Sequence, residues 1–452
     1  MPPKLEKIVV NGNSRYRLYK GFLLLNSAGD LATQGQADRI LAETQKRLQE
    51  RRALANFTLE RSADQPAVIH LRTPWLALYS VKQRDIFLLR LVAATTCCIE
   101  AADQENCQLV AAGVNPYRRD ASGDPQALCA DIHQVEVYDA GEVERIYNLY
   151  RQLLPELLAI STHSAVYDGI LQKDHSLRMS VNLASYLPRY ISQFSEQHLA
   201  QLERYIRKEY KLTRLSQMDV NPLGGDASVL RKEHRPLLDA SVAAIELRFI
   251  DAQCSFPFIR AQILLIQAIA MYGRAMARDG GRVFAISDES LDENKALALQ
   301  NGGNAMLRPD KQRRPEEGTR SLPPYVRREP AVATTALLTL IEELLLPALN
   351  QLECEPWELY PLILGAELRR KNVRCFTNYA EYQHYLCQAY PTEHFTALLQ
   401  QQMRQLLSSS TFDIICDYNR QLHQKLAQEI EFAWSHKLIS RRPLANVESS
   451  EV

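Results

Sequence analysis

The sequence lacks an excess of charge of either sign. Its 452 residues carry 53 lysines and arginines against 53 aspartates and glutamates, so the formal net charge at pH 7 is zero. Non-specific affinity for nucleic acid comes from basic side chains that displace counterions from phosphates. The balance therefore argues against a general polyanion-binding protein and leaves room only for a local basic patch. We expect no nucleic-acid partner.

Long apolar runs and the pattern of a secretory signal are also missing. An apolar run at residues 336–349 is interrupted by Glu342 and Glu343, whereas a membrane span needs about 20 apolar residues. The first seven residues do not have the apolar stretch and small-residue cleavage site that mark a signal peptide. We expect a cytoplasmic protein without a membrane partner.

The nine cysteines are an odd number and form no Cys-x-x-Cys pair. Disulfide frameworks and zinc sites need thiols at regular spacing, so neither is expected, and a reducing compartment fits. The sequence also contains no Walker A motif and no Gly-x-Ser-x-Gly turn. It therefore gives no support to a P-loop nucleotidase or a serine hydrolase.

The apolar residues change their period repeatedly along the chain. This predicts strands and helices mixed without strict alternation, which is typical of an α+β fold. Strand-like runs lie at residues 7–10, 19–25, 67–71, 107–113, 132–138 and 244–250. Helical runs lie at residues 37–52, 84–102, 141–160, 197–208, 258–277, 291–301 and 333–352, and a long amphipathic run lies at 412–434.

Composition divides the chain into a sheet-and-helix core at residues 1–353, a helical C-terminal extension at 354–440 and a flexible tail at 441–452. Within the core, residues 308–330 hold five prolines and seven basic residues but few large apolar ones. This composition predicts a mobile basic surface loop. A flap over an anionic ligand, a partner-docking arm and a merely solvated loop are all compatible with it.

Polar side chains alternate with apolar ones along the run 244–250. Glu246 and Arg248 are predicted to share one face of a strand, with Ile245, Leu247 and Phe249 on the other. Two opposite charges side by side suit a strand that lines a cleft. A surface ion pair on a solvated sheet face has the same pattern.

The run 132–138 repeats this alternation. Gln134 and Glu136 share one predicted face, where an amide and a carboxylate could serve a substrate or a hard cation through oxygen. A solvated sheet face is the alternative. His133 falls on the more apolar face and is interpreted as a core histidine.

Five stretches follow one another in an order that is found in an enzyme family. They are residues 111–116, 134–137, 153–169 with 176–178, 235–236 leading to 245–251, and 293–305. Together they resemble the glutamate–cysteine ligase superfamily, specifically its carboxylate–amine ligase (second glutamate–cysteine ligase) branch. The resemblance covers roughly residues 15–350.

The resemblance implies a glutamine-synthetase-like fold, in which a curved, mainly antiparallel sheet forms a funnel with helices outside. It also implies that ATP phosphorylates a substrate carboxylate and that an amine attacks the acyl phosphate to form an amide. Mg²⁺ would bridge the phosphates, and the substrate would be amino-acid-like. Partners would be a second copy of the chain or an active paralogue subunit.

The family's site residues match this sequence in part. Two carboxylates would bind metal or nucleotide with an amide beside them, and three arginines would hold phosphate or substrate. The carboxylates are Glu246 and Glu136, the amide is Gln134, and the arginines are Arg248, Arg178 and Arg235.

The first two strands of the family's site depart from its pattern. Residues 16–26 contain no acid where the family has metal-binding glutamates, and Lys20 lies at this point. On the next strand His70 stands where a glutamate precedes Thr-Pro. These positions assign Lys20 and His70 to the nucleotide site, yet a cation cannot replace a carboxylate toward Mg²⁺.

Two hypotheses follow from these departures. The first is an ATP-dependent carboxylate–amine ligase. The second is a catalytically degenerate ligase-like protein that binds a metabolite or an active partner subunit.

Overall fold

The computed structural model describes residues 15–62, 65–118, 125, 127–181, 190–191, 195, 218–222, 243–281, 283, 285–310 and 329–439. The predicted strand 7–10, the predicted helix 197–208, most of the basic loop 308–330 and the tail 441–452 lie outside these residues.

Strands and helices are mixed in the first part of the chain, and helices dominate after residue 333. The strands are β1 (Tyr16–Asn26), β2 (Thr58–Arg61), β3 (Val68–Arg72), β4 (Cys107–Val110), β5 (Ile132–Val137), β6 (Val166–Tyr167), β7 (Ile170–Leu171), β8 (Met218–Pro222), β9 (Ala243–Leu247), β10 (Met306–Leu307) and β11 (Ala331–Val332).

The helices are α1 (Gln34–Glu50), α2 (Val81–Gln104), α3 (Ala140–Gln152), α4 (Leu154–Ser161), α5 (Leu177–Ser180), α6 (Phe256–Arg278), α7 (Asp288–Asn301), α8 (Ala333–Leu340), α9 (Leu346–Gln351), α10 (Pro356–Arg370), α11 (Tyr379–Ala389), α12 (Thr392–Leu407), α13 (Ile414–Leu422) and α14 (Gln424–Ile439).

Seven of the described strands form one sheet in the order β2-β3-β1-β5-β9-β8, and β4 also pairs with β1. All of these pairings are antiparallel. The predicted α+β class with a mainly antiparallel sheet is therefore confirmed, while the funnel shape stays a prediction.

One face of the sheet is mainly apolar and faces the core. Leu18 of β1, Val135 of β5 and Ile245 of β9 are fully or almost fully buried on it. Helix α3 contacts β8 and β9 and packs along α6, which in turn packs against α10. The C-terminal helices thus rest directly on the core helix, although the predicted domain boundary near residue 353 stays a prediction.

Two predicted helices are interrupted at prolines. The run 141–160 ends at Gln152, and α4 begins next to Pro155. The run 333–352 contains a π-helical turn at Ile341–Leu345, directly before the helix that holds Pro347 near its start. A proline lacks the backbone N–H that a helix interior needs, but it fits the first turn of a new helix.

Within the described residues, two helical stretches are long and apolar enough to cross a membrane by length and composition, α6 and Ala333–Gln351. Their most apolar windows are 94% and 72% buried inside the fold. A helix that is apolar all round is buried in a core or in a membrane, and packing against the rest of the chain already accounts for these two. The cytoplasmic location stays a prediction.

Candidate ligand-binding face of the sheet

The face of the sheet opposite the core carries charged side chains. In the antiparallel register Arg17 lies opposite Gln134, Gln134 lies opposite Glu246, and Tyr19 lies opposite Arg72. Residues directly opposite each other share a face, so strands β3, β1, β5 and β9 bring their polar residues together. We call this surface the polar face. Its described members are Arg15, Arg17, Tyr19, Glu60, His70, Arg72, Gln134, Glu136, Glu246 and Arg248.

Glu136 is held by an arginine that the sequence prediction missed. Arg15 donates from Nη2 to Oε1 at 2.6 Å and from Nε to Oε2 at 3.0 Å, and its backbone N–H donates to Oε2 at 3.1 Å. Such a two-pronged contact is the strongest form of the arginine–carboxylate pair. Alternation of Arg15, Arg17 and Tyr19 with the buried Tyr16 and Leu18 could have placed Arg15 on this face, although not its pairing with Glu136.

Glu246 is engaged on both carboxylate oxygens. Gln134 Nε2 donates to Oε2 at 2.6 Å, and Arg248 Nε donates to Oε1. The predicted positions of Glu246 and Arg248 on one face, and of Gln134 and Glu136 on one face, are therefore confirmed as geometry. Their roles toward a metal or nucleotide stay predictions.

The described polar face carries more positive than negative charge. Arg17 stacks on the Trp75 indole at 4.4 Å from the ring centroid, and Arg72 pairs with Glu60 at 3.0 Å. The four arginines of the face, Arg15, Arg17, Arg72 and Arg248, exceed its three glutamates, Glu60, Glu136 and Glu246, by one charge. The mixture provides donors for an oxyanion beside acceptors for an ammonium group.

His70 lies on the polar face opposite Gly21 of β1. Burial, with further contributions from Lys20 and Arg248, lowers the pKa of its imidazole to about 4, and a hydrogen bond with the Ala130 backbone opposes the shift. His70 is therefore neutral at pH 7. It cannot add a cation to the site under ordinary conditions.

We expect His70→Gln to reduce the acid sensitivity of the fold. An unfolded histidine has a pKa near 6.5, so between about pH 6.5 and 4 the unfolded state binds a proton that native His70 does not. Wild-type stability should therefore fall through this window by about 1–2 kcal/mol more than that of the variant. Urea unfolding at pH 7 and pH 5 measures this difference. Exposed His394→Gln is the control, and equal pH slopes for His70→Gln and wild type would contradict the assignment.

Lys20 does not lie on the polar face, which corrects the sequence prediction. It points to the core side, like Tyr16 and Leu18 at alternate positions of β1, and it is completely buried. Its Nζ donates to Asp131 Oδ1 at 2.8 Å and to the Gly21 carbonyl at 2.8 Å. A ligand on the polar face could not reach this ammonium without crossing the sheet.

Arg178 fixes the chain that directly follows β9. Its guanidinium donates to Asp251 Oδ1 at 2.7 Å, to the Arg248 carbonyl at 3.1 Å and to the Phe249 carbonyl at 2.7 Å. All three contacts are to the protein, and Arg178 is buried. In this geometry Arg178 positions Arg248, while the predicted contact with phosphate or substrate stays untested. Arg235 lies outside the described residues.

Asp251 is a buried acceptor on which several of the family-like stretches meet. Its Oδ2 accepts from the His163 backbone N–H at 2.7 Å and from Ser164 Oγ at 2.6 Å. Its Oδ1 accepts from Ser176 Oγ at 2.9 Å and from Arg178. A Cβ on Gly113 would lie 3.0 Å from the Asp251 carboxyl carbon. Stretches 111–116, 153–169, 176–178 and 245–251 therefore converge here.

The described residues of the polar face do not fit Mg²⁺. This ion requires near-octahedral oxygen ligation, with carboxylates available to it. Glu136 and Glu246 are each already engaged by a guanidinium. In the part of the chain that the structure describes, no three His, Cys, Asp or Glu side chains form a group that could hold a metal. Metal binding by Glu246 and Glu136 stays a prediction from the resemblance.

One acidic residue near this site escaped the sequence prediction. The backbone register places Asp219 of β8 opposite Glu246 of β9. The sequence around Asp219 does not indicate a functional residue, because a single acid before Val-Asn-Pro matches no motif. Asp219 is therefore a useful test position for any metal site beside Glu246.

No protein-family model matches the chain, and no curated protein matches it. Solved structures do match. One is the glutamate–cysteine ligase of Francisella tularensis in complex with AMP, with a TM-score of 0.53 and 12% sequence identity over 95% of this chain and 98% of that enzyme. Another is a bifunctional glutathione synthetase from Pasteurella multocida, with a TM-score of 0.51 and 12% identity.

The second match covers 88% of this chain but only 52% of the bifunctional enzyme. The sequence resemblance is thus confirmed at the level of the fold, while assignment to the second glutamate–cysteine ligase branch stays a prediction. The chain shares its fold with glutamate–cysteine ligase over nearly the full length of both proteins.

Proposed function

We propose that the polar face binds a small amino-acid-like molecule through its carboxylate. The observation that carries this proposal is the set of arginines beside buried glutamates on one face. A guanidinium matches a carboxylate with two parallel hydrogen bonds, and Glu136, the glutamate of the second pair, suits an ammonium group. Side chains of both signs on one surface therefore favour a zwitterion over a simple anion.

In this proposal the protein has the fold of a ligase and binds the metabolite, but it does not carry out the family's Mg²⁺-dependent phosphoryl transfer. Each described carboxylate that resembles a metal ligand is neutralised by an arginine, which would have to leave before a metal could enter. Such a protein would act by binding, in its metabolite-bound form, to an active paralogue subunit or to a second copy of the chain.

The second candidate is an ATP-dependent carboxylate–amine ligase, which the fold similarity favours. The Francisella enzyme was solved with AMP, and ATP would be the corresponding cofactor here. In this version Arg248, Arg178 and Arg235 would hold phosphate or substrate, and an acyl phosphate would be converted to an amide by an amine.

Two measurements on the full chain separate these candidates. Isothermal titration across an amino-acid panel should detect binding that weakens roughly tenfold or more in Arg248→Gln. Arg39→Gln is the matched control, because Arg39 of α1 forms a surface pair with Glu105, which directly follows α2; this variant should bind like wild type. ATP hydrolysis measured with the same panel, with and without Mg²⁺, should show no ADP release.

The results that would reject the proposal are equally concrete. ADP formed together with an amide product would establish the ligase. Absence of binding to every amino acid, or equal losses in Arg248→Gln and Arg39→Gln, would remove the polar face as a carboxylate site.

A further inference from the structure

We propose that at Arg248 the ligand's oxyanion displaces a glutamate and that no metal ion takes part. In the ligand-free state the Arg248 guanidinium donates a hydrogen bond to Glu246. The incoming carboxylate or phosphate replaces Glu246 as the acceptor. This inference rests on the proposed function, since it concerns the same face. It makes two separate statements, one on whether Mg²⁺ is needed and one on whether Glu246→Gln raises or lowers ligand affinity.

The exposure of the two partners gives the exchange its direction. The Glu246 side chain is 5% exposed, whereas that of Arg248 is 32% exposed. A ligand that arrives from solvent therefore meets the guanidinium first. Arg15 and Glu136 repeat the arrangement, with 29% and 1% exposure. In both pairs the carboxylate is buried and the arginine is the more exposed partner.

Glu246 keeps a hydrogen-bond partner when Arg248 turns to a ligand. Its Oε2 accepts from Gln134 Nε2 at 2.6 Å, on the side away from the arginine contact at Oε1. A buried carboxylate without any donor would be costly, and the Gln134 amide reduces that cost. Glu246 nevertheless stays a negative charge beside the bound oxyanion, so it opposes ligand binding.

The same geometry makes Mg²⁺ unnecessary and even unfavourable. To reach Glu246 or Glu136 the ion would have to enter beside arginines that already neutralise them. For a nucleotide, Mg²⁺ would also reduce the negative charge that the arginines recognise. Affinity should therefore be no higher with Mg²⁺ than in EDTA.

The test is isothermal titration of the full chain with three separate probes: L-glutamate, inorganic phosphate and ATP. Each is measured in EDTA and in Mg²⁺, for wild type, Glu246→Gln and the control Glu105→Gln. The glutamate arm isolates a carboxylate, and the phosphate and ATP arms isolate a phosphoryl group. We expect at least one probe to bind in EDTA, and Glu246→Gln to bind it about fivefold more tightly. Glu105→Gln should bind it like wild type.

A Mg²⁺-ligand role for Glu246 predicts the opposite sign. Binding only with Mg²⁺, lost in Glu246→Gln or in Asp219→Asn, would overturn the inference while keeping a ligand site on this face. Weaker binding of Glu246→Gln in EDTA would also overturn it, because Glu246 would then assist the arginine. If no probe binds under either condition, the proposed function fails together with the inference. Should Glu246→Gln not fold, the wild-type comparison of EDTA with Mg²⁺ decides alone.

Discussion

Asp251→Asn is expected to lower the free energy of unfolding by about 3–5 kcal/mol. The carboxylate is 1% exposed and accepts four hydrogen bonds, one of them from the buried Arg178 guanidinium. An asparagine of the same shape removes the counter-charge of Arg178 and directs an N–H₂ group at donors. Both changes leave buried polar groups without a partner, which costs more than the net value of the bonds themselves.

Asp103→Asn is the matched control for this prediction. Asp103 pairs with Arg404 at the surface, where both side chains are well exposed, and such a pair contributes about 0–1 kcal/mol. Urea unfolding followed by circular dichroism compares the two variants. A loss below about 1 kcal/mol in Asp251→Asn would show that the carboxylate is not the centre of this network.

The double variant Asp251→Asn/Arg178→Met tests whether the two residues act as a unit. Once the aspartate is neutral, removal of the guanidinium also removes the uncompensated buried charge. The double variant should therefore lose less stability than the sum of the single variants, by about 1–3 kcal/mol. Additive losses would show that Arg178 and Asp251 stabilise the fold independently.

The Asp251 network shows how the family-like stretches contribute to the fold, while their chemical roles stay predictions. Ser176, Arg178 and the residues around Gly113 and His163 all meet one buried carboxylate. Their order along the chain reflects the way loops are tied to the end of β9. Sequence reasoning assigned Arg178 to the ligand, because an arginine in a motif has the same appearance whether it faces solvent or a buried aspartate.

Local sequence patterns predicted which residues of one strand share a face, but they did not predict contacts between residues far apart in the chain. Alternation within a strand was sufficient to put Glu246 and Arg248 on one face, and their ion pair confirms it. The Arg15–Glu136 pair joins residues 121 positions apart, and no local pattern contains that information. Helix boundaries failed at Pro155 and Pro347 because apolar periodicity continues through a proline while the backbone hydrogen bonds do not.

The amphipathic run 412–434 shows a similar failure without a proline. It is divided at His423 into α13 and α14, and Asn419 of α13 exchanges hydrogen bonds with the backbone of Phe376. That contact spans 43 residues, and at the break itself His423 Nε2 lies 2.7 Å from the Arg374 carbonyl oxygen. Both are tertiary contacts that apolar periodicity does not contain. Periodicity alone favours one long helix, since both halves keep an apolar face toward the core.

The misplacement of Lys20 has a different physical origin. Tyr16, Leu18 and Phe22 alternate on one side of β1 and are buried, and Lys20 falls in the same set by parity. The family comparison assigned it to the ligand because of its position in the strand. The strand period of two, applied to β1 as it was to β9, places it in the core.

Gly21 and Asp131 account for a lysine in that position. A Cβ at Gly21 would lie 2.3 Å from the Ala130 carbonyl oxygen, so only glycine lets the segment before β5 approach β1 this closely. Asp131 then accepts from the Gly21 N–H at 2.9 Å and from Lys20 Nζ at 2.8 Å, while its second oxygen accepts from the Gln253 N–H at 3.0 Å. The pair joins β1, β5 and the segment after β9.

Lys20→Met is therefore expected to lower the free energy of unfolding by about 3–5 kcal/mol, because it leaves the Asp131 charge buried without its counter-ion. Lys20→Met/Asp131→Asn should recover part of this loss, since the second change removes the uncompensated charge. Lys46→Met, at an exposed pair on α1, is the control and should change stability by less than about 0.5 kcal/mol. Urea unfolding measures all three.

The pH dependence of the Lys20→Met loss gives an independent check with a defined sign. Burial raises the pKa of the Asp131 carboxyl, and the Lys20 ammonium opposes that rise. Without Lys20 the native carboxyl takes up a proton at higher pH than the unfolded one does, and a group of this kind contributes stability that is lost as pH rises. The difference in free energy of unfolding between wild type and Lys20→Met should therefore become smaller as the pH falls from 7 toward 4. A difference that grows instead would mean that Asp131 is not the residue left without its counter-ion.

Stability and ligand binding respond to Lys20→Met in opposite ways under the two assignments. If Lys20 contacted a nucleotide or carboxylate, the variant would keep its stability and lose affinity, as expected for Arg248→Gln. If Lys20 holds Asp131 across the core side of the sheet, the folded variant should bind a ligand of the polar face as wild type does, but it should unfold at lower urea. Measuring both quantities on one preparation decides whether the cation on β1 belongs to the site or to the scaffold beneath it.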